Sequence, residues 1–304
     1  MDVYLPIANL SVNWLVIVLL GGGVGLLSGM FGVGGGFLTT PLLIVYGISP
    51  TVAAATSASQ VTGSCVSGVV AHFRRNGVDV KMGATLVSGG LIGAMLGTLL
   101  FRWLQKTGQI DTVIALIYVL LLGTIGILMA RESLQSIGAM HNGGRPRARK
   151  RRHHPLVTVL PFRTRYYRSG LYISPLAPLL LGCFTGVLTT LLGIGGGFIL
   201  IPAMLYLLGM STQVVVGTSL FQTLFVTAAA TMAHATSTKS VDIVLAALLL
   251  VGSVTGAQVG VRLAMRIRPE YLRLALALMV LAVAARMAVG LGWRPADLFT
   301  VDVT

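Results

Sequence analysis

Apolar runs dominate the chain, and their spacing predicts ten segments. They lie at approximately 14–31, 36–46, 51–73, 82–104 and 110–130, then at 171–192, 197–208, 213–235, 241–265 and 271–291. A helix needs about 20 residues to cross a bilayer. The runs 36–46 and 197–208 fall short of that. As helices they reach roughly 17–18 Å, against a hydrocarbon core of about 30 Å, which predicts half-helices or broken helices. Residues 131–170 separate the two sets of five and contain HNGGRPRARKRRHHP, with no apolar period. That composition predicts a disordered cytoplasmic loop. The chain thus divides into a first transmembrane repeat (14–130), a basic linker (131–170), a second repeat (171–291) and a C-terminal tail (292–304).

The two sets are one unit written twice. FGVGGGFLTTP, from Phe31 to Pro41, answers LGIGGGFILIP, from Leu192 to Pro202. With one-residue shifts, GIS at 47–49 matches GMS at 209–211, and TSASQ at 56–60 matches TSLFQ at 218–222. His72 matches His234, Val78-Asp79 matches Val241-Asp242, and the glycines of 90–97 line up with those of 253–260. Internal repeats of this kind mark secondary transporters.

Composition turns the pattern into a class. Hydrophobic residues make up 55% and charged residues 10%. A soluble domain carries about 25% charged residues, so this surface faces lipid and the fold is an all-α polytopic membrane protein. The net charge of +14 does not point to nucleic acid, because ten of the 22 basic residues lie between Arg131 and Arg168 and nearly all the rest flank apolar runs. The loop 72–81 holds Arg74, Arg75 and Lys81, and the loop 262–273 holds Arg262, Arg266, Arg268 and Arg273. The connections near 102–110 and 236–242 are poorer, with Arg102, Lys106 and Lys239. Ten crossings put the basic-rich connections on one side, which makes the units inverted repeats with five crossings each. Re-entrant second and seventh segments would leave eight crossings and put four arginines outside, against the positive-inside rule. The N-terminus MDVYLPIANLSVNW lacks a basic region, which predicts no cleaved signal peptide. Cys65 and Cys183 occupy non-equivalent places in apolar runs, as packing residues do.

Short glycine-interrupted segments at matching places in two halves point to a transporter's binding site. Consecutive glycines weaken a helix by about 1 kcal/mol each. Open backbone at membrane depth is tolerated only where protein encloses it. Gly34, Gly35 and Gly36, with Gly195, Gly196 and Gly197, are therefore candidates for substrate contact through backbone N–H groups. The helices that follow would aim positive dipole ends at one midplane site, which suits an anion. Close packing or a tight turn is the plainer alternative.

Thr56 shares a helix face with Gln60, and Thr218 with Gln222. Together with Ser57 and Ser219 they offer hydroxyl and amide donors for an oxoanion. Inter-helix hydrogen bonding is the other use of such residues in membranes. His72 and His234, near helix ends, are candidates for proton coupling or are simply solvated. The ladders Gly89-Gly93-Gly97 and Gly252-Gly256-Gly260 read as close helix packing. All eight acidic residues lie in tails, loops or segment ends, which favours an anionic substrate over a cation. Arg286, inside an apolar stretch, either snorkels to the interface or contacts substrate. Metal, cofactor and enzyme motifs are missing from the sequence, so no metal, no cofactor and no catalysis is expected.

The twin G-x-GGGF clusters with a following proline, the TS…Q stretch and the late G-A-x-x-G resemble the TauE/SafE sulfite-exporter family of bacterial inner-membrane transporters. The resemblance covers about 20–130 and 175–290. It implies a multi-pass inner-membrane protein that moves sulfite, sulfoacetate or another small organosulfur anion. Its partners would be that anion, a coupled proton and membrane lipid. The leading expectation is a secondary transporter, an exporter, working by alternating access between the two repeats. An anion channel and a membrane scaffold acting through the basic linker are the competing classes.

Overall fold

The computed structural model describes residues 2–8, 10–31, 35–141, 164–166, 168–210, 212–264 and 269–292. Ten helices and two short hairpins make up the described fold. In the first half, strands β1 (Asp2–Leu5) and β2 (Leu10–Asn13) pair antiparallel. Then follow α1 (Trp14–Phe31), α2 (Gly36–Val45), α3 (Pro50–Arg74), α4 (Val80–Lys106) and α5 (Ile110–His141). The second half repeats the order with β3 (Thr164–Tyr166), β4 (Leu171–Ile173), α6 (Leu176–Leu192), α7 (Gly197–Tyr206), α8 (Thr212–Ser237), α9 (Ile243–Ala264) and α10 (Pro269–Gly292).

The apolar runs and the helices agree closely, with two corrections. Residues 171–173 form strand β4, so the sixth helix starts at Leu176. Pro175 and Pro178, flanking its first turn, suit a helix start rather than an interior. The linker is shorter than its composition suggested, because α5 runs on to His141 and a hairpin begins at Thr164. Its middle, 142–163, lies outside the described residues, as do Gly34 and the tail from 293.

Among the described residues, α4, α5, α8, α9 and α10 are each long and apolar enough to cross a membrane. Helix α3 has 25 residues but carries Thr56, Ser57, Gln60 and Thr62, and it packs in the interior against α8. Helices α2 and α7 have ten residues each, roughly 15 Å, about half a hydrocarbon core.

The halves interlock instead of standing side by side. Helix α1 packs along α9, and its counterpart α6 packs along α4. Lipid gives helices little hydrophobic reason to associate, so close approach and hydrogen bonds must supply the cohesion. The glycine ladders provide that approach. A Cβ on Gly93 would lie 2.0 Å from the Cys183 carbonyl oxygen, and one on Gly256 would lie 2.1 Å from that of Gly22.

The hydrogen bonds between halves are reciprocal. The Asp79 N–H donates to Thr218 Oγ1 (3.0 Å), and the Asp242 N–H donates to Thr56 Oγ1 (3.2 Å). Asp79 caps α4 by accepting from Met82 N, and Asp242 caps α9 by accepting from Val244 N and Leu245 N. The other carboxylate oxygen holds a hairpin of the opposite half. Ser169 N and Oγ donate to Asp79 Oδ2, and Ile7 N donates to Asp242 Oδ2. Both aspartates sit at segment ends, as expected, yet they are 3% and 1% exposed.

Candidate functional site

The two glycine clusters meet in the interior. A Cβ added to Gly36 would lie 2.8 Å from the Ile194 carbonyl oxygen and 2.9 Å from that of Gly193. Phe37 and Phe198, the next residues of α2 and α7, stack with ring centres 4.3 Å apart and planes within 1°. Two half-helices from different halves therefore begin at one place. Gly35 and Gly196 sit at their N-caps with φ of 74° and 72°, and neither supplies a capping side chain. The first-turn N–H groups thus lack the usual side-chain acceptor. One turn on, Pro41 and Pro202 have no N–H to offer the carbonyls of Phe37 and Phe198.

Helices α3 and α8 bring side chains to the same place. Gln60 and Gln222 are 1% and 0% exposed. Thr39 Oγ1 donates to Gln60 Oε1 (3.1 Å), and Gln222 Nε2 donates to Thr185 Oγ1 (3.4 Å). The remaining amide atoms, Gln60 Nε2 and Gln222 Oε1, are buried without a partner. Gln222 Oε1 lies 3.6 Å from where a Gly196 Cβ would be, which ties this amide to the second cluster. Across the interface, Thr62 Oγ1 donates to Thr227 Oγ1 (2.9 Å). A buried polar atom with no partner costs about 1–3 kcal/mol, a cost that a ligand bonded to these two atoms would recover.

The other expected residues divide between the junction and separate contacts. Thr56 and Thr218 lie one helical turn from the glutamines, with their hydroxyl oxygens engaged by the backbone of Asp242 and Asp79. Ser219 Oγ donates to the Val216 carbonyl, whereas the buried Ser57 Oγ has no partner. Gly195 and Gly197 join the junction with Gly196, and a Cβ on Gly195 would lie 2.7 Å from Val61 Cγ1.

The histidines are unlike each other. His72 is half-buried at the end of α3. His234 is fully buried, with Nε2 2.9 Å from the Thr190 carbonyl oxygen and its ring edge-on to Phe101 at 4.6 Å. Tyr118 donates to the Leu192 carbonyl. These two side chains serve carbonyls in the last turn of α6, which the glycine break leaves without helical partners. His234 is thus a bonded core residue, not an interfacial one.

Sequence reasoning missed Thr39, Thr185, the pair Thr62–Thr227, and Thr189, whose Oγ1 lies 3.3 Å from where a Gly196 Cβ would be. Thr185 and Thr189 stand four apart in FTGVLTTLL, a polar stripe in an apolar run, which was the available signal.

Known proteins resemble the chain over most of its length. A family model described as "Sulfite exporter TauE/SafE" matches residues 17–287. The "Probable membrane transporter protein YjnA" of Bacillus subtilis (strain 168) is 32% identical over 268 residues, covering 87% of this chain and 96% of the relative. A "Probable membrane transporter protein" of Xylella fastidiosa (strain Temecula1) is 29% identical over 280 residues, covering 90% and 95%. "Probable membrane transporter protein YfcA" of Escherichia coli (strain K12) is 35% identical over 72 residues, 24% of this chain and 27% of the relative. No solved structure matches the chain.

Proposed function

The chain belongs to the TauE/SafE sulfite exporter family, and from that premise we propose that it is a secondary transporter of a small anion, sulfite or a short organosulfonate. The observation that carries this reading is the junction of α2 and α7. Two helix N-termini without side-chain caps converge there, with the N–H groups of Leu38, Gly197 and Ile199 turned to backbone carbonyls, beside two buried glutamines with unused amide atoms. Helix N-termini present N–H groups and the positive end of a dipole, so they stabilise negative charge without a buried cation. Hydrogen bonds to a charged ligand contribute about 1.5–3 kcal/mol each.

The mechanism is alternating access between two inverted repeats. The reciprocal pairing of Asp79 with Thr218 and of Asp242 with Thr56 supports a twofold relation between the halves. The end of the linker touches the 72–81 loop, and the N-terminal hairpin touches Asp242. Both contacts agree with the side that the positive-inside rule assigns to each segment. Burial of Gln60 and Gln222 favours a carrier with an occluded site over an open channel. If a proton is coupled, half-buried His72 is the more accessible of the two histidines, since His234 is committed to α6.

The test is uptake into proteoliposomes of sulfite, sulfoacetate, acetate and an organic cation of similar size. The reading expects the oxoanions to be carried and the cation to be refused. Carriage of the cation without the oxoanions would reverse the sign of the site.

A further inference from the structure

One face of α4 leads from charge into oil. Lys81, Ala84, Ser88 and Leu91 follow one another at helical spacing on a single exposed stripe. Ala84, Val87, Ser88 and Leu91 form a surface groove of about 240 Å³ with Phe221 and Phe225 of α8. The two phenyl rings meet edge-on at 5.0 Å and give the groove an aromatic wall. From Lys81 to Leu91 the stripe runs roughly 15 Å, the depth of one leaflet.

At the top of the groove the fold gathers cations. Arg74 and Arg75 close the α3 end, Lys81 opens α4, and Arg165 and Arg168 belong to the β3–β4 hairpin; all are exposed. Lys81 Nζ donates to the Arg165 carbonyl (3.2 Å) and lies 5.8 Å from the centre of the Tyr166 ring. Arg168 donates to the Val78 carbonyl (2.9 Å) and to Asn76 Oδ1 (3.3 Å). These bonds hold Lys81 and Arg168 in place yet use only part of their donors, since an ammonium has three and a guanidinium five. Asp79, the one carboxylate in these two stretches, is turned inward with its oxygens bound by Met82 and Ser169. The equivalent connection in the second half, 236–242, offers Lys239 alone.

We propose that the groove and the cluster together bind an anionic phospholipid, with an acyl chain along α4 and its phosphate against Lys81 and the arginines. Each half of the site makes the other specific. An apolar groove alone accepts any lipid chain, and a basic cluster alone accepts any anion. Their junction at Lys81 matches a molecule that carries a fixed negative charge at the head of a hydrocarbon chain. The assignment makes no assumption about the transported substrate.

The experiment is lipid titration of the purified full-length chain in detergent, read by native mass spectrometry. The probes are phosphatidylglycerol, phosphatidylcholine and soluble glycerol phosphate. Phosphatidylglycerol should bind about tenfold or more tighter than phosphatidylcholine, as several basic groups near a lipid phosphate imply. Lys81→Gln should erase most of that preference. A second variant, Arg74→Gln with Arg165→Gln, keeps the Lys81 bond to the hairpin backbone and the Arg168 bonds to Val78 and Asn76, and should do the same. Ala84→Trp, which fills the groove, should weaken both lipids. Equal binding of the two lipids overturns the proposal, as does a preference that survives both charge variants. Glycerol phosphate binding as tightly as phosphatidylglycerol would make it a plain anion site. Loss of a dimer with Ala84→Trp, at unchanged lipid binding, would make the groove an interface between copies.

Discussion

Gln60 and Gln222 place amide groups in the buried centre, and the fold uses one polar atom of each. The unused pair is a donor on Gln60 and an acceptor on Gln222. Such a pair suits an oxoanion that carries one proton. A half-turn of the Gln222 amide exchanges its oxygen and nitrogen and would present a second donor to a fully ionised one. Leucine keeps much of the volume of glutamine and removes its polar atoms. Gln60→Leu or Gln222→Leu should therefore weaken apparent affinity for the anion roughly ten- to a hundredfold, the loss of one charge-assisted hydrogen bond. Concentration dependence of uptake measures this, and unchanged affinity in both variants would remove the glutamines from the site. The glutamines were legible in the sequence because an amide is costly inside lipid and needs a reason to be there. The work of Thr56 and Thr218 was not legible, because each bonds a residue of the other half.

Apolar runs predict the helices to within a few residues, except that 171–173 is strand and that α5 runs on past 130 to His141. The hairpins were not visible. Each is a pair of strands of three or four residues, too short for an alternating pattern to stand out. What fixes them is a buried aspartate in the opposite half, which no local pattern reports. The ladder glycines were readable as packing, since small residues four apart let helices touch. Their partners were not, because α4 pairs with α6 and α1 with α9, across the halves. At this scale Thr56→Val and Thr218→Val are informative. Each removes the acceptor of a buried Asp N–H, so each should lower thermal stability by about 1–3 kcal/mol. Affinity for the anion should stay within about threefold, a difference of under 1 kcal/mol. Melting curves and uptake on the same preparations separate the two effects. A large loss of affinity at unchanged stability would return these threonines to the binding site.

Two halves interlocked by reciprocal contacts make one molecule with a shared centre. The proposed orientation rests on charge and puts the basic-rich 72–81 loop, linker and 262–273 loop on one side. Cysteines introduced at the termini should be labelled by an impermeant reagent from outside intact cells, and one introduced at 150 should not. A C-terminus labelled only from inside would overturn the five-plus-five arrangement. Removing 142–163 should leave transport largely intact, whereas a scaffold acting through the linker would lose its function. In the proposed mechanism the two clusters build a single anion site between them. Equilibrium binding of radiolabelled sulfite to the purified chain tests it most directly. Binding should saturate at one anion per chain and be lost when Gln60→Leu and Gln222→Leu are combined. Two anions per chain, or wild-type binding by the double variant, would contradict it.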